Sequence, residues 1–299
     1  MHQHFLFNVS NLRSILISFP FFLLSINLSS QIIGTVLDKS TGYPIQYASV
    51  FVKGRDKGVT TDVNGFFNLD KADQNVTLTV SAIGYETQEI EIKEKEHSQI
   101  KLVQRVYELP EINVIPKKNN KKITIDPLKK VKSKIFTSPA GAYPWILTKF
   151  FEYRPEYAKT HFIKQIQIMT LSRADSATIN FRLISVGSKG EPVKDILEKN
   201  LITTVKKGET LTSIDLEDYN ISFPEQGFYV AFEWLIVDRN KSQNSQQRSF
   251  YNPMLGIVPD NKKNDIWMYS KGGWYKSKIY CDPAQTVVGQ IAIGLTLTD

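Results

Sequence analysis

Side chains suited to bond chemistry are sparse in this chain. Of its four histidines, His2 and His4 lie at the extreme N-terminus, which leaves His97 and His161. A zinc hydrolase needs paired histidines at fixed spacing with a carboxylate, as in HExxH or HxxE. Neither histidine has that setting: His97 sits in the charged run EKEHSQ, and His161 opens an apolar stretch. No GxSxG elbow, phosphate-binding loop or dinucleotide fingerprint occurs. Cys281 is the single cysteine, so no intrachain disulfide can form, and it reads as a small buried hydrophobe. Asp62, Asn64 and Asp70 suggest a calcium loop, but Gly65 directly follows Asn64 and breaks the required spacing. Glu152 with Glu156, or Glu217 with Asp218, would make an acid/base pair only if folding joined them, and no spacing argument does. The expectation is a non-enzyme with no catalytic residue, no metal ligand and no cofactor.

Aromatics offer the better functional signal. Trp145, Tyr251, Trp267, Trp274 and Tyr275 lie near strand ends or in glycine-rich loops such as KGGWY. They are the candidate ligand-binding residues, because exposed rings flanked by polar groups form platforms for sugars. The competing reading is that these rings fill the core or cap its ends. Two or more coplanar exposed rings on one face would decide for the platform.

The elements that must position these residues are strands. Residues 33–37, 48–52, 59–61, 66–69, 76–81, 89–92 and 100–103 are short β-prone runs separated by turn chemistry. Ala48, Val50 and Val52 alternate on one face, as do Val76, Leu78 and Val80. Asn64-Gly65 between apolar runs predicts a hairpin turn. About seven strands at this spacing predict a small Greek-key sandwich.

The order of residues here, IGTVLDKSTGYPI, then ASVFVKG, then GVTTDVNGFFNL, then LTVSAIGYE, resembles the carboxypeptidase-like regulatory domain, a transthyretin-like sandwich. The resemblance runs over about residues 31–105. It implies a fold and a setting, because such domains occur beside metallocarboxypeptidases and at the N-terminus of TonB-dependent receptors. It implies no catalytic residues, since the domain has none of its own.

The rest of the chain divides around that module. Residues 1–30 read as a secretory signal, with Arg13 ahead of the apolar run SILISFPFFLLSINL. That run is short for a bilayer span and contains Pro20; a retained anchor is the alternative. Residues 106–142 read as a basic linker with 8 basic and 3 acidic side chains, including Lys117, Lys118, Lys121, Lys122, Lys129, Lys130, Lys132 and Lys134. The formal charge of +7 thus concentrates in the linker instead of on a folded face, which excludes nucleic acid as the expected partner. A lysine run is ordinarily a solvated spacer; peripheral contact with an anionic membrane is the sharper alternative.

Residues 143–299 read as a larger β-rich domain, jelly-roll-like, with strands expected at 145–153, 161–171, 177–186, 201–205, 211–216, 228–237, 266–269, 273–279 and 287–297. One or two helical turns are expected at 193–199, and 239–248 reads as a polar loop. Parts of this region resemble an uncharacterised β-sandwich that follows the regulatory module in bacterial secreted proteins. The fold class is therefore all-β, two β-sandwich domains. The expected location is the periplasm, outer membrane or surface of a Gram-negative cell. The expected role is protein interaction or scaffolding, with an envelope protein or surface glycan as partner. Carbohydrate binding by the second domain and hydrolysis at an unrecognised site are the alternatives. Because a 75-residue sandwich is marginal alone, the two units are expected to dock.

Overall fold

Alternating apolar residues in the first unit resolve into seven strands arranged as two sheets. In the computed structural model, the described residues are 31–70, 75–92, 97–105, 121–128, 135–138, 140–141, 143–243, 249–260 and 266–299. One sheet places Gln31–Asp38 between Phe66–Asp70, antiparallel, and Ser98–Leu102, parallel. The other runs in the order Gly58–Thr60, Ser49–Val52, Val76–Ser81, Gln88–Ile92. Val36, Val50, Phe67, Leu78, Val80 and Leu102 fill the space between them.

The turn at Asn64-Gly65 forms where it is predicted, with Gly65 at a φ of +69° that favours glycine. It is a corner, though, not a hairpin. Strand Gly58–Thr60 pairs in one sheet and Phe66–Asp70 in the other. Asp62 accepts from the Asn64 and Phe66 N–H groups at 2.8 and 2.9 Å, so its side chain tightens the corner.

Among the described residues the second unit holds a thirteen-stranded sheet folded over one large core, with a separate two-stranded pair, Lys241–Gln243 and Ser249–Tyr251. Its spine is Phe162–Val186, a 25-residue strand. Two strands are expected here, and the structure joins them. Leu201–Asp215 pairs along almost the whole length, and a register shift between Ser172 and Ser176 absorbs the polar interruption SRADSA. The other edge of the spine pairs with Ile293–Thr298 near its start and with Phe228–Trp234 near its end. One strand thus serves both halves of the sheet, which folds over its core as the expected second sandwich, and the fold is all-β with two β-sandwich units. The expected helical turns at 193–199 are also corrected: Pro192–Asp195 is a strand paired to the spine. The helical elements among the described residues are short 3-10 turns such as Pro155–Lys159, and no described helix is long and apolar enough to cross a membrane.

The segment expected to be a linker contributes to this sheet. Lys122–Ile125 pairs with Ile293–Thr298, and Ile135–Phe136 pairs with Met254–Pro259. Asp126 meets the buried Lys149 ammonium at 2.8 Å, tying the end of the first of these strands to the core of the second unit. From residue 122 the described parts of the segment are therefore packed structure rather than spacer. Residues 1–30, with the expected export signal, lie outside the described residues, as do Lys117, Lys118, Lys129, Lys130, Lys132 and Lys134.

Candidate binding site between the two units

The central strand Phe228–Trp234 is buried along its whole length. Phe228, Val230, Phe232 and Trp234 point into the main core. The alternate residues Tyr229, Ala231 and Glu233 face the other way, where a half-buried strand would meet water. Here they meet the first unit.

The first unit presents Ser49, Phe51, Thr79 and Ser81, which the register places together on the outer face of its four-stranded sheet. Phe51 is 1% exposed, and its ring stands edge-on to Tyr269 with centroids 5.7 Å apart. Thr60 Oγ1 accepts from the Ile236 N–H at 3.0 Å. Lys271 and Asp56 form an exposed ion pair at the rim, 3.0 Å apart, a contact of little energetic weight. The expected docking of the two modules is therefore present in the fold.

Strand pairing assembles a polar row on this covered face. Asn180 lies opposite Glu233, Glu233 opposite Ile146, Ile146 opposite Tyr269, and Tyr269 opposite Trp274. Glu233 is 4% exposed. Ser49 Oγ donates to its Oε1 at 3.0 Å and Asn180 Nδ2 to its Oε2 at 2.9 Å. Asn180 Nδ2 also donates to Asn200 Oδ1 at 2.9 Å. One strand pair along, Arg182 donates through Nε and Nη2 to both oxygens of Asp195, each at 2.8 Å. This planar two-bond pairing suits a guanidinium and a carboxylate.

Burial disfavours charge here, and each group answers differently. The Glu233 carboxyl is pushed above the ordinary glutamate value of 4.5 by burial, which Arg182, Ser49 and Asn180 offset only in part. Burial also works against the Arg182 cation, but Asp195 and Glu233 more than compensate, so it stays charged. The Tyr269 hydroxyl is raised, first by burial and further by Glu233, against the opposing effects of Ser81 and Arg182.

A prediction about pH follows from Glu233. A carboxyl with a raised folded-state pKa binds its proton more tightly in the native chain than in the unfolded one. Its contribution to stability is therefore full below 4.5 and is lost as pH rises through the folded value. Glu233→Gln should remove that loss, so its denaturation midpoint should fall less than that of the wild type between pH 4.5 and about 8. Asp38 works in a separate window. Ser40, Thr41 and Tyr85 hold its carboxyl well below 3.8, so its contribution is lost only as pH falls beneath that value. Denaturant titrations at several pH values check the prediction; parallel pH curves for the two proteins would refute it.

Beside the polar row lies a cavity of about 350 Å³ walled by both units. Tyr85 and Arg105 reach it from the first; Arg182, Asn200, Glu233 and Trp274 reach it from the second. Of the five aromatic candidates, only Trp274 lines it. Trp145 and Tyr251 pack against the main core. Trp267 and Trp274 pack against the smaller cluster around Ile146 and Tyr229. Tyr275 is 40% exposed and lies opposite Met268, on the other face of the hairpin from Trp267 and Trp274. The five rings are thus not brought to one surface.

The other candidates for chemistry stay apart as well. His97 Nε2 lies 2.9 Å from Thr35 Oγ1, and its ring stacks on Phe66. His161 packs on Phe162. Cys281 is half-buried instead of buried as expected; desolvation pushes its thiol up, with Asp282 adding to the effect. Glu156 pairs with Arg154 and Glu217 with Lys164. Among the described residues no three His, Cys, Asp or Glu side chains gather into a metal-sized group.

Sequence reasoning missed Glu233, Asn180, Arg182, Asp195 and Ser49 as a group. One signal was available: Glu233 is the single charged residue in the apolar run FYVAFEWLIV. A lone carboxylate there must find partners or be expelled.

The sequence comparisons concern the first unit. Residues 32–125 match the CarboxypepD_reg-like domain family. Two TonB-dependent receptors of Formosa agariphila are 33% identical over 91 and 82 residues, which cover 30% and 27% of this chain. The chain spans only 9% and 8% of those receptors. Among solved structures, the cysteine protease and lectin-like domains of Cwp84, a surface layer associated protein of Clostridium difficile, are 10% identical with a TM-score of 0.38. That alignment covers 85% of this chain and 59% of that one. A DUF3823 family protein from Bacteroides ovatus is 9% identical with a TM-score of 0.21, covering 88% of this chain and 96% of that one. Likeness at these scores carries no functional argument. The module that opens the described chain, by its pattern, its seven strands and its relatives, is a CarboxypepD_reg-like domain.

Proposed function

We propose that the chain is a non-enzymatic interaction protein of a Gram-negative envelope, in which the regulatory-type module and the larger β unit act as one rigid body. The observation that carries this reading is the seam. Across it Ser49 of the first unit donates to Glu233 of the second, beside the paired Arg182 and Asp195, and Phe51 packs on Tyr269. The likeness of the first unit to TonB-dependent receptors supports the envelope setting. A body stiffened in this way loses little conformational freedom on binding, which favours recognition by surface and cleft.

Fractionation of the producing bacterium, followed by assays of the purified chain, tests the reading. The chain should fractionate with the envelope and show no turnover of ester, peptide or glycoside substrates. Recovery in the cytosol, or a turnover that Glu233→Gln abolishes, would overturn it.

A further inference from the structure

We propose that the cavity between the two units is a binding site for a neutral saccharide, one or two rings in size. The inference goes beyond the interaction role, since it stands whether or not a protein partner also docks. Its first support is size and place. Ligand sites fall preferentially at domain interfaces, and about 350 Å³ lies at the small end of their usual range.

Its second support is the chemistry of the walls. Trp274 and Tyr85 supply aromatic surface, the kind that covers the C–H face of a sugar ring. Asn200, Asp195, Glu233 and Arg182 supply planar donors and acceptors from the second unit. Each Glu233 oxygen takes one protein hydrogen bond and retains a lone pair for a ligand hydroxyl. Next to it, Asn180 Oδ1 is buried with no hydrogen-bond partner, an acceptor open to a donor. Gly273, on the same wall, leaves open space where a side chain would project.

Its third support is charge balance. The walls carry two guanidiniums, Arg105 and Arg182, against two carboxylates, Asp195 and Glu233. A charged ligand would gain from one pair about what it loses to the other, whereas hydroxyl groups donate to the carboxyl oxygens and accept from the guanidiniums. A neutral polyol satisfies both signs.

Isothermal titration of the full chain with glucose, galactose, mannose, N-acetylglucosamine and their disaccharides tests the site. At least one sugar should bind with a Kd of about 1 mM or tighter. Trp274→Ala and, separately, Asn200→Ala should each weaken that binding by about tenfold or more. Tyr219→Ala, at an exposed residue outside the cavity, should leave it unchanged. Thermal melts confirm that each variant is folded, and the two site variants make the result independent of either one failing to fold. Flat heats for every sugar would overturn the proposal. So would sugar binding that neither site variant weakens, or binding of glucuronate or acetate in preference to the neutral sugars.

Discussion

Arg182→Ala is expected to cost about 3–5 kcal/mol of folding stability, because removing one partner of a buried pair leaves the other charge uncompensated. Asp195 would lose both of its 2.8 Å hydrogen bonds while remaining almost wholly buried. Glu233 would lose the cation that partly offsets its burial. The lower end of the range applies, because the Arg182 side chain keeps 20% of its surface exposed and water can partly replace it. The pair itself need not stabilise the fold. Replacing both members, Arg182→Met with Asp195→Leu, should recover most of the loss, since an apolar pair of similar volume avoids the desolvation of two ions. Equilibrium denaturation of the two single variants and the double variant, read as a cycle, separates these effects. Additive losses in the double variant would show that the two side chains act independently.

Phe51→Ala is expected to be comparably severe, about 3–5 kcal/mol, the usual cost of emptying a buried phenylalanine site. The difference lies in where the damage falls. Phe51 is not part of the first unit's own core, which uses Val50 and Val52 from the same strand. Its ring fills the seam against Tyr269. The first unit should therefore stay folded in the variant while its hold on the second unit loosens. Amide exchange should quicken along Ser49–Val52 and Phe228–Trp234 and stay slow in Gln31–Asp38, at the centre of the far sheet. Loss of protection throughout the first unit would instead place Phe51 in that unit's own stability.

The same two residues show how much the sequence could disclose. Alternation alone identifies the inward faces of the first unit correctly, because Val50 and Val80 pack where period two places them. Ile179, Phe181 and Leu183 likewise alternate along 177–186, and they lie in the core. What alternation cannot see is a cover arriving from more than a hundred residues away. Asn180 and Arg182 occupy the face that a half-buried strand would give to water, yet Asn180 is fully buried because the first unit lies over that face. Phe51 was a readable hint, since a large aromatic on the polar side of a strand implies a second packed face.

Polar residues hid other structure. The run RNKSQNSQQR reads as a loop, but Asn240 within it is wholly buried and bonds the backbone of Thr178 in both directions. The lysine-rich segment reads as a spacer, yet Lys122–Ile125 completes a strand pair with the far C-terminus. Propensity registers the charge on such residues and cannot register a partner strand that long-range pairing supplies. The aromatic candidates were recognised by type, but only Trp274 reaches the cavity, because hairpin register sends Tyr275 to the opposite face.

Whether the two units behave as one body is tested most directly by calorimetric unfolding of the intact chain. Docking through Phe51, Ser49 and Glu233 predicts a single cooperative transition, with calorimetric and van't Hoff enthalpies in agreement. Two separable transitions, one of them matching the melt of residues 31–105 expressed alone at an unchanged midpoint, would contradict it.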